Sequence, residues 1–424
     1  MAKLVKEKWI PAQTYGLSKR NRRPCDYEIY VPDFVSGREF HIESTVASDI
    51  ADAEKAVIHL NQGESGLADT EAIARLLLRA ESVASSKIEG LEIGGRRLLK
   101  AQLARDLGTE PSDLGATEVL NNIEVMRDLV ENASSHDLTP ELLIESHRQL
   151  MEGTRFEEHA GQFRRAQNWI GGSEFNPCSA EFVPPPPDLV PRLVTDVCEF
   201  CSRDDLPAVA QAAIAHAQFE TVHPFFDGNG RIGRAIVHSI LRRRGLAPKL
   251  VPPISLVLAT RSKDYVRGLM ATRYQGSWES PEATEGINLW LSTFASAVTR
   301  SVEDAESYDR QVREIQREWR FRLGKIRRNS AIDLIIDALP ATPILTVKTA
   351  SEMIGRTAQA VNEAIPRLTD AGILSQTTFG RRNRAFEAEE LIDAFNSLER
   401  QLASPTGDTS TAEPTRKVPA RRPG

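Results

Sequence analysis

Twelve consecutive residues, His223-Pro-Phe-Phe-Asp-Gly-Asn-Gly-Arg-Ile-Gly-Arg234, hold a histidine, a carboxylate, three glycines, an asparagine and two arginines. Each type suits phosphate chemistry. A histidine with its ordinary pKa near ~6.5 is mostly neutral at physiological pH, as a general base must be, and His223 fills that place. Gly228 and Gly230 admit backbone conformations that turn successive N–H groups into one concavity. Downstream, Ile232, Ala235, Ile236, Ile240 and Leu241 recur at helical spacing, so the turn opens a helix. A helix start supplies unpaired donors and a positive dipole end, which together attract an anion. Arg231 and Arg234 stand three apart and can reach the same anion. Asp227 is the only carboxylate inside the run. Beside phosphates it suits Mg²⁺, which takes few protein ligands and completes its shell with water and phosphate oxygens. The local pattern predicts a phosphate cradle with a histidine at its lip.

The run matches H-x-F-x-(D/E)-G-N-G-R-x-x-R at every defined position. It thus resembles the signature of Fic-domain proteins, which transfer AMP from ATP to a hydroxyl side chain of a target protein. The resemblance implies a role for each position. His223 would deprotonate the target hydroxyl and Asp227 would hold Mg²⁺ on the phosphates. Gly228, Asn229 and Gly230 would form the anion hole, Arg231 would contact the phosphates, and Arg234 would engage the γ-phosphate. Relatives with kinase-like chemistry carry Lys near Gly230. This chain keeps the full pattern, which favours adenylyl transfer.

The elements that must position these groups are mostly helical. Helices are expected over 44–62 and 69–89. The second has Asp69 or Thr70 as N-cap, an apolar stripe of Ile73, Leu76, Leu77, Ala80, Val83, Ala84 and Ile88, and Gly90 as its stop. Glu89 stands in its last turn, where the helix dipole disfavours a carboxylate by a few tenths of a kcal/mol or more. Local physics leaves two readings, a solvated glutamate or one with a cationic partner elsewhere. Ser85-Ser-Lys-Ile-Glu89-Gly90 resembles the inhibitory motif of the family, (S/T)-x-x-x-E-(G/N), placed here before the core. The resemblance implies that Glu89 pairs with Arg234 and denies it to the γ-phosphate, with Ser85 one turn earlier helping to orient the pair.

At 424 residues with 41% apolar content, the chain can fill two or three cores. A net charge of −6 argues against bulk electrostatic binding of nucleic acid but leaves room for a local basic patch. No apolar run approaches the ~18 residues of a membrane span, and the N-terminus lacks a signal peptide's apolar centre. Four cysteines in so long a chain do not make a disulfide framework. Cys198-Glu-Phe-Cys201 lies in a helical pattern, and no second pair completes a zinc site. A reducing, cytoplasmic setting is expected.

Along the chain, residues 1–40 read as irregular. Two helical patterns cover 117–131 and 139–151. Glycines and β-formers over 161–172, then four prolines at 184–187, predict a short hairpin and an extended arm. That segment (about 161–187) resembles the flap of the family, which holds a target's backbone by strand addition and aims its hydroxyl at the catalytic histidine. A helix over 207–222 carries His216, read as structural. Arg242, Arg243 and Arg244 cap the motif helix. Helices are expected at 262–275 and 286–300, and a charged helical register over 302–328 serves equally as linker or dimer surface. Residues 330–400 resemble a winged helix-turn-helix. Arg381, Arg382 and Arg384 sit at its wing tip and could contact phosphate. Pro366 should kink or shorten the would-be recognition helix, and DNA and protein remain equal candidates as its partner. Residues 401–424 are expected to be disordered.

The expected fold is mainly α, a Fic-type helical core with a short β-hairpin flap and a small C-terminal winged helix-turn-helix. The divisions are 1–110 with the inhibitory helix, 111–300, a linker at 301–329, 330–400 and a tail. The expected activity is AMP transfer from ATP, with Mg²⁺, to a Ser, Thr or Tyr of a target protein or of the chain itself, autoinhibited by Glu89. A homodimer and a soluble, non-membrane setting accompany it. Two alternatives stay open: a DNA-binding regulator with a nucleotide-sensing core, and removal of AMP from a modified protein with Glu89 positioning water.

Overall fold

Periodicity of 3.6 dominates the sequence, and helices dominate the computed structural model, which describes residues 1–11, 21, 23–62, 71–109, 113–379 and 383–402. In chain order come β1 (Lys3–Trp9), β2 (Cys25–Val31), α1 (Ser44–Gln62), α2 (Glu71–Ile88), α3 (Gly95–Asp106), α4 (Leu114–Asn132) and α5 (Pro140–Met151). Then follow α6 (Val190–Cys201), α7 (Ala208–Val222), α8 (Asn229–Arg243), α9 (Ile254–Thr260), α10 (Ser262–Ala271) and α11 (Pro281–Leu323). The last part is α12 (Ala331–Ala338), β3 (Ile344–Leu345), α13 (Val347–Ile354), α14 (Ala358–Asp370), β4 (Ser375–Phe379), β5 (Asn383–Glu387) and α15 (Glu389–Leu402).

Helix α7 is the central rod. Small and apolar residues predominate along it, and every residue except Gln218 is buried, the polar Gln211, His216 and Glu220 among them, as in a helix enclosed by others. Helix α8 packs along it, and α2, α4 and α11 close around the pair. Trp290 of α11 is fully buried and donates its indole N–H to Ala213 O of α7 at 2.7 Å, satisfying its one polar atom. Helix α2 ends where expected. Gly90 takes φ +80°, the left-handed stop that a side chain would disfavour. The expected N-cap at 69–70 lies outside the described residues.

Several expectations need correction. The irregular reading of residues 1–40 missed an antiparallel hairpin, β1 with β2, in the register Lys3↔Val31 to Trp9↔Cys25. Its cross-strand pairs include Lys6↔Glu28 and Lys8↔Asp26. Opposite charges facing across a ladder stabilise it but leave little hydrophobic alternation to detect. Helix α3 was also missed. The helix expected at 286–300 and the charged register at 302–328 form one 43-residue helix, α11. Ser280 caps its start, Pro281 occupies the first turn, and Gly324 at φ +65° follows its end. Pro366 does not end α14, which continues to Asp370. A proline this near the C-terminal end removes one ladder bond from a helix already anchored by Val361, Ala364, Ile365 and Leu368 in the core.

In the C-terminal part, β3, β5 and β4 form an antiparallel sheet in that spatial order behind α12, α13 and α14. Helix α15 returns to α11, where Glu390 accepts from Trp319 Nε1 at 3.2 Å and pairs with Arg322 at 2.7 Å. Arg381 and Arg382 of the expected wing tip, and the expected tail, lie outside the described residues. Arg384 is exposed and donates to Gln376 across the strand pair.

Candidate active site

His223 follows α7 directly and caps it in the left-handed region, φ 48° and ψ 60°. Among the described residues only His223 and Asn329 are non-glycines with positive φ. For a histidine this conformation is strained and must be held by its surroundings. Its N–H donates to Phe219 O at 2.9 Å, and its carbonyl accepts from Arg164 Nε at 2.8 Å. The next residues are pinned as firmly. Asn229 turns its side chain back on the loop, accepting from Phe225 N at 2.8 Å and donating to Phe225 O at 3.0 Å. Phe225 is fully buried and stacks on His147, with ring centroids 3.9 Å apart. His147 Nδ1 accepts from Gly161 N at 3.1 Å, so Nε2 carries the proton and donates to Asp227 O at 3.1 Å. One buried imidazole thus ties the motif loop to the start of the flap.

The cradle follows. Gly228 is the N-cap of α8, with φ 79° and no side-chain cap, so the first N–H groups of the helix are left for an anion. A Cβ on Gly228 would lie 2.8 Å from Met151 Cε and 2.9 Å from Leu150 Cδ2, so the turn needs glycine for space as well as for conformation. Arg231 and Arg234 are almost wholly buried, 1% and 2% exposed. Arg231 Nη2 donates to Asp227 Oδ2 at 2.8 Å, while Arg231 Nε and Nη1 have no protein partner. Buried guanidinium N–H groups without partners are costly unless an anion or water meets them. Asp227 stays about one-third exposed beside them. A single accessible carboxylate next to an anion cradle fits Mg²⁺, whose remaining ligands would be water and phosphate oxygens.

Arg234 is engaged by α2. Its Nη2 donates to Glu89 Oε1 at 2.8 Å and to Ser85 O at 2.7 Å, and its Nε donates to Ser85 Oγ at 2.9 Å. Burial pushes the Glu89 carboxyl upward, but the charge and hydrogen bond of Arg234 outweigh it and hold Glu89 below the usual carboxylate range. A Cβ on Gly230 would overlap Glu89 Oε1, so the carboxylate lies directly on the cradle backbone. The structure therefore brings together Ser85, Glu89 and Arg234, and separately Asp227 and Arg231, around the turn 228–230. His223 stands at the same opening, its side chain 19% exposed.

The flap closes the other side. Ile170 and Phe182 exchange backbone bonds of 2.8 and 3.2 Å, so the expected hairpin exists but is held by isolated bridges rather than full strands. Arg164, at its base, is buried and donates to the carbonyls of His223, Val222, Pro185 and Ala166. The flap also borrows from the N-terminal hairpin: Tyr30 N donates to Val183 O at 2.9 Å. The expectation of no disulfide framework missed one bridge, Cys25–Cys178, which joins β2 to the flap across a sequence separation of 153. That separation leaves no local signal. Such bridges are uncommon in a reducing cytosol, so the cysteines do not support the expected setting. Cys198 and Cys201 are buried thiols on α6. No helix of the described residues is long and apolar enough to cross a membrane.

Titration in the site is shaped by burial. It pulls His223 down to about 4 against an opposing pull from Glu89, and so keeps the imidazole neutral. It also lowers His147 to about 4, and His216, bonded to Tyr265 Oη at 2.8 Å, to about 3. Glu220 moves the other way, pushed up to about 7 by burial first and by the Glu89 charge second. Sequence reasoning overlooked His147, Arg164 and Glu220. All three lie outside the signature, and only Glu220, one turn before His223 on a helix, was open to a spacing argument.

A helical core with an anion cradle at a helix start and a histidine beside it is the class of site these residues define. Residues 137–241 match the model of the Fic/DOC family and residues 47–131 that of the Fic/DOC family N-terminal region. The two matched stretches together make up less than half of the chain, and over them it is similar to that family. Among curated relatives, the protein adenylyltransferase fic-1 of Caenorhabditis briggsae is 30% identical over 133 residues, 31% of this chain and 23% of that protein. A probable protein adenylyltransferase of Aquifex aeolicus is 41% identical over 68 residues, 16% of this chain and 21% of that one. The chain therefore spans less than a quarter of the length of these relatives. The crystal structure of a Fic family protein from Desulfovibrio desulfuricans superposes with a TM-score of 0.51 at 19% identity, covering 82% of this chain and 97% of that one. At that identity the likeness speaks for the fold: mainly α, with a Fic-type core.

Proposed function

We propose that this chain is a protein adenylyltransferase that moves AMP from ATP to a hydroxyl side chain of a protein. Its partly matched relatives carry that name. The observation that carries the reading is a neutral, partly exposed His223 beside the uncapped start of α8, with two buried arginines below it.

In this reading the triphosphate lies on the N–H groups after Gly228, with Asn229 fixing the loop and Gly230 admitting the phosphate oxygens. Arg231 meets the charge that develops at the α-phosphate. Asp227 would hold Mg²⁺, which supplies charge neutralisation on the phosphates. His223 accepts the proton of the target hydroxyl as its oxygen attacks the α-phosphorus. The bond from that phosphorus to the bridging oxygen breaks, and pyrophosphate leaves. The flap between 161 and 187 presents the target segment, and Arg164 fixes the flap to the carbonyl of the catalytic histidine.

The pairing of Glu89 with Arg234 supports an autoinhibited resting state. Arg234 has no capacity for the γ-phosphate while Glu89 and Ser85 occupy it, and the Glu89 carboxylate would repel phosphate over Gly230. Helix α2 is then the inhibitory helix. The 330–400 part is best read as a winged-helix-type module. A second reading keeps one observation in its favour: an ionised carboxylate set on the cradle could orient water against an AMP-modified protein.

The test is transfer of label from α-labelled ATP to protein, comparing the Glu89→Gly form with the same form carrying His223→Ala. Transfer abolished in a folded double variant supports the reading. Transfer that survives removes His223 from the role of base.

A further inference from the structure

Two buried polar atoms in the site lack an ordinary partner and belong to neighbouring residues. His223 Nδ1 and Glu220 Oε1 are each buried without a hydrogen bond of ordinary geometry, and the backbone of Glu220 lies close enough to the His223 ring to favour its charged form weakly. Glu220 Oε2 stands 3.9 Å from His223 Nδ1, one helical turn back on α7, and its side chain is only 10% exposed. Buried polar groups in this state call for an explanation. A rotation of either side chain by about 1 Å closes the gap to hydrogen-bond range.

We propose that Glu220 is the positioning residue of His223: its carboxylate accepts Nδ1–H, leaves Nε2 as the nitrogen that meets the target hydroxyl, and stabilises the imidazolium formed when the proton arrives. This rests on the adenylyl-transfer reading. The proton balance is simple. Nε2 gains the hydroxyl proton as the oxygen–phosphorus bond forms and pyrophosphate departs, while the Nδ1 proton stays shared with Glu220.

The surroundings explain why the dyad is open in this state. The carboxyl of Glu220 faces Glu89 from α2, Arg234 from α8, Tyr265 from α10, Arg273 beyond it, and His216 and His223 on or beside its own helix. Glu89 adds a negative charge that favours the acid form of Glu220, and an acid cannot accept Nδ1–H with the strength of a carboxylate. When Glu89 leaves, Arg234 and Arg273 remain and favour the carboxylate. The inhibitory glutamate then acts twice, on the phosphate site through Arg234 and on the base through Glu220. Gly233 makes room for this arrangement, because a Cβ there would lie 2.8 Å from Glu220 Oε1 and 3.0 Å from His216 Nδ1.

The experiment places Glu220→Gln in the Glu89→Gly chain, with Glu220→Asp as a second variant that keeps the charge, and checks folding by circular dichroism. Two readouts are taken, AMP transfer across pH and the titration of His223 by NMR of its labelled ring. The expected result for Glu220→Gln is kcat lower by about 10- to 100-fold with KM for ATP within twofold. The His223 pKa should fall by about one pH unit or more, the size expected for losing an opposite charge at this range. Glu220→Asp should recover part of both. Unchanged kcat with an unmoved His223 titration overturns the proposal. So does a loss confined to KM, which a structural role would produce. Should the Glu89→Gly chain transfer no AMP, the adenylyl-transfer reading fails, and the NMR titration still decides the dyad: a shift supports it and no shift overturns it.

Discussion

Arg164→Met offers the sharpest look at how the flap is held. The guanidinium is 6% exposed and donates to four carbonyls, two at short range: His223 O at 2.8 Å and Pro185 O at 2.5 Å. No carboxylate of the described residues pairs with it, and burial lowers its pKa to about 10. Hydrogen bonds from a charged donor contribute about 1.5–3 kcal/mol each, so the two short ones together stabilise the closed flap by about 3–6 kcal/mol. Burying an unpaired cation opposes this, and removing it returns some of that cost. The net loss worked from these terms is about 2–3 kcal/mol, or about 30- to 150-fold in an opening equilibrium. Hydrogen exchange of backbone amides in 161–187 reads that equilibrium directly. Arg164→Met should speed exchange there by that factor and leave α7 and α8 unchanged. ATP affinity should stay within twofold, because Arg164 touches carbonyls rather than the cradle. Arg164→Lys, a single point charge, should fall between. Exchange in the flap that matches the unaltered chain would refute the assignment of Arg164 as its anchor.

Two further outcomes follow from the same geometry. Ser85→Ala removes the acceptor of Arg234 Nε but keeps Ser85 O and Glu89. Losing one such bond from a charged donor weakens the lock by about 1.5 kcal/mol, so basal AMP transfer should rise about tenfold, measured with α-labelled ATP. Acid sensitivity should also be steep. His147, His216 and His223 have folded pKa values of about 4, 3 and 4, below the unfolded value near ~6.5. Between pH 6.5 and 4 the unfolded chain binds more protons at these three sites, so the stability they contribute is present above pH 6.5 and lost as pH falls. Glu220, raised to about 7, has the opposite sign and cancels roughly one of them. The remaining two protons give a slope of about 2–3 kcal/mol per pH unit. Urea unfolding followed by near-UV circular dichroism at pH 7, 6 and 5 checks it, and a flat profile would count against three neutral buried histidines.

How far the sequence carried the account depended on where the signal lay. The cradle was legible because its chemistry is contiguous: His223 to Arg234 compress turn, helix start and charges into one run, and the structure folds them onto one opening. Helix α2 and its stop were legible from its stripe and Gly90. The Glu89–Arg234 contact spans 145 positions, and local physics left Glu89 with two readings until a family pattern was brought to it. Arg164 and His147 act through backbone carbonyls and amides, which have no residue identity, so no spacing rule could reveal them. The β1–β2 hairpin hid because its alternation is one of charges, and α11 was divided because a change in surface composition near residue 300 looked like a boundary. Helix geometry has no stake in that change, and no breaker stands between Gly286 and Gly324. Cys25–Cys178 joins segments whose proximity exists only in the folded chain.

The central claim is an adenylyl-transfer site closed by Glu89 on Arg234. Its most direct test is label transfer from α-labelled ATP onto protein, the chain itself included, by the unaltered form and by Glu89→Gly. Freeing a buried guanidinium for the γ-phosphate is expected to contribute about 1.5–3 kcal/mol, or about 10- to 150-fold more transfer in the variant. Equal transfer by the two forms would contradict the lock, and none by either, with ATP still bound, would contradict the transfer itself.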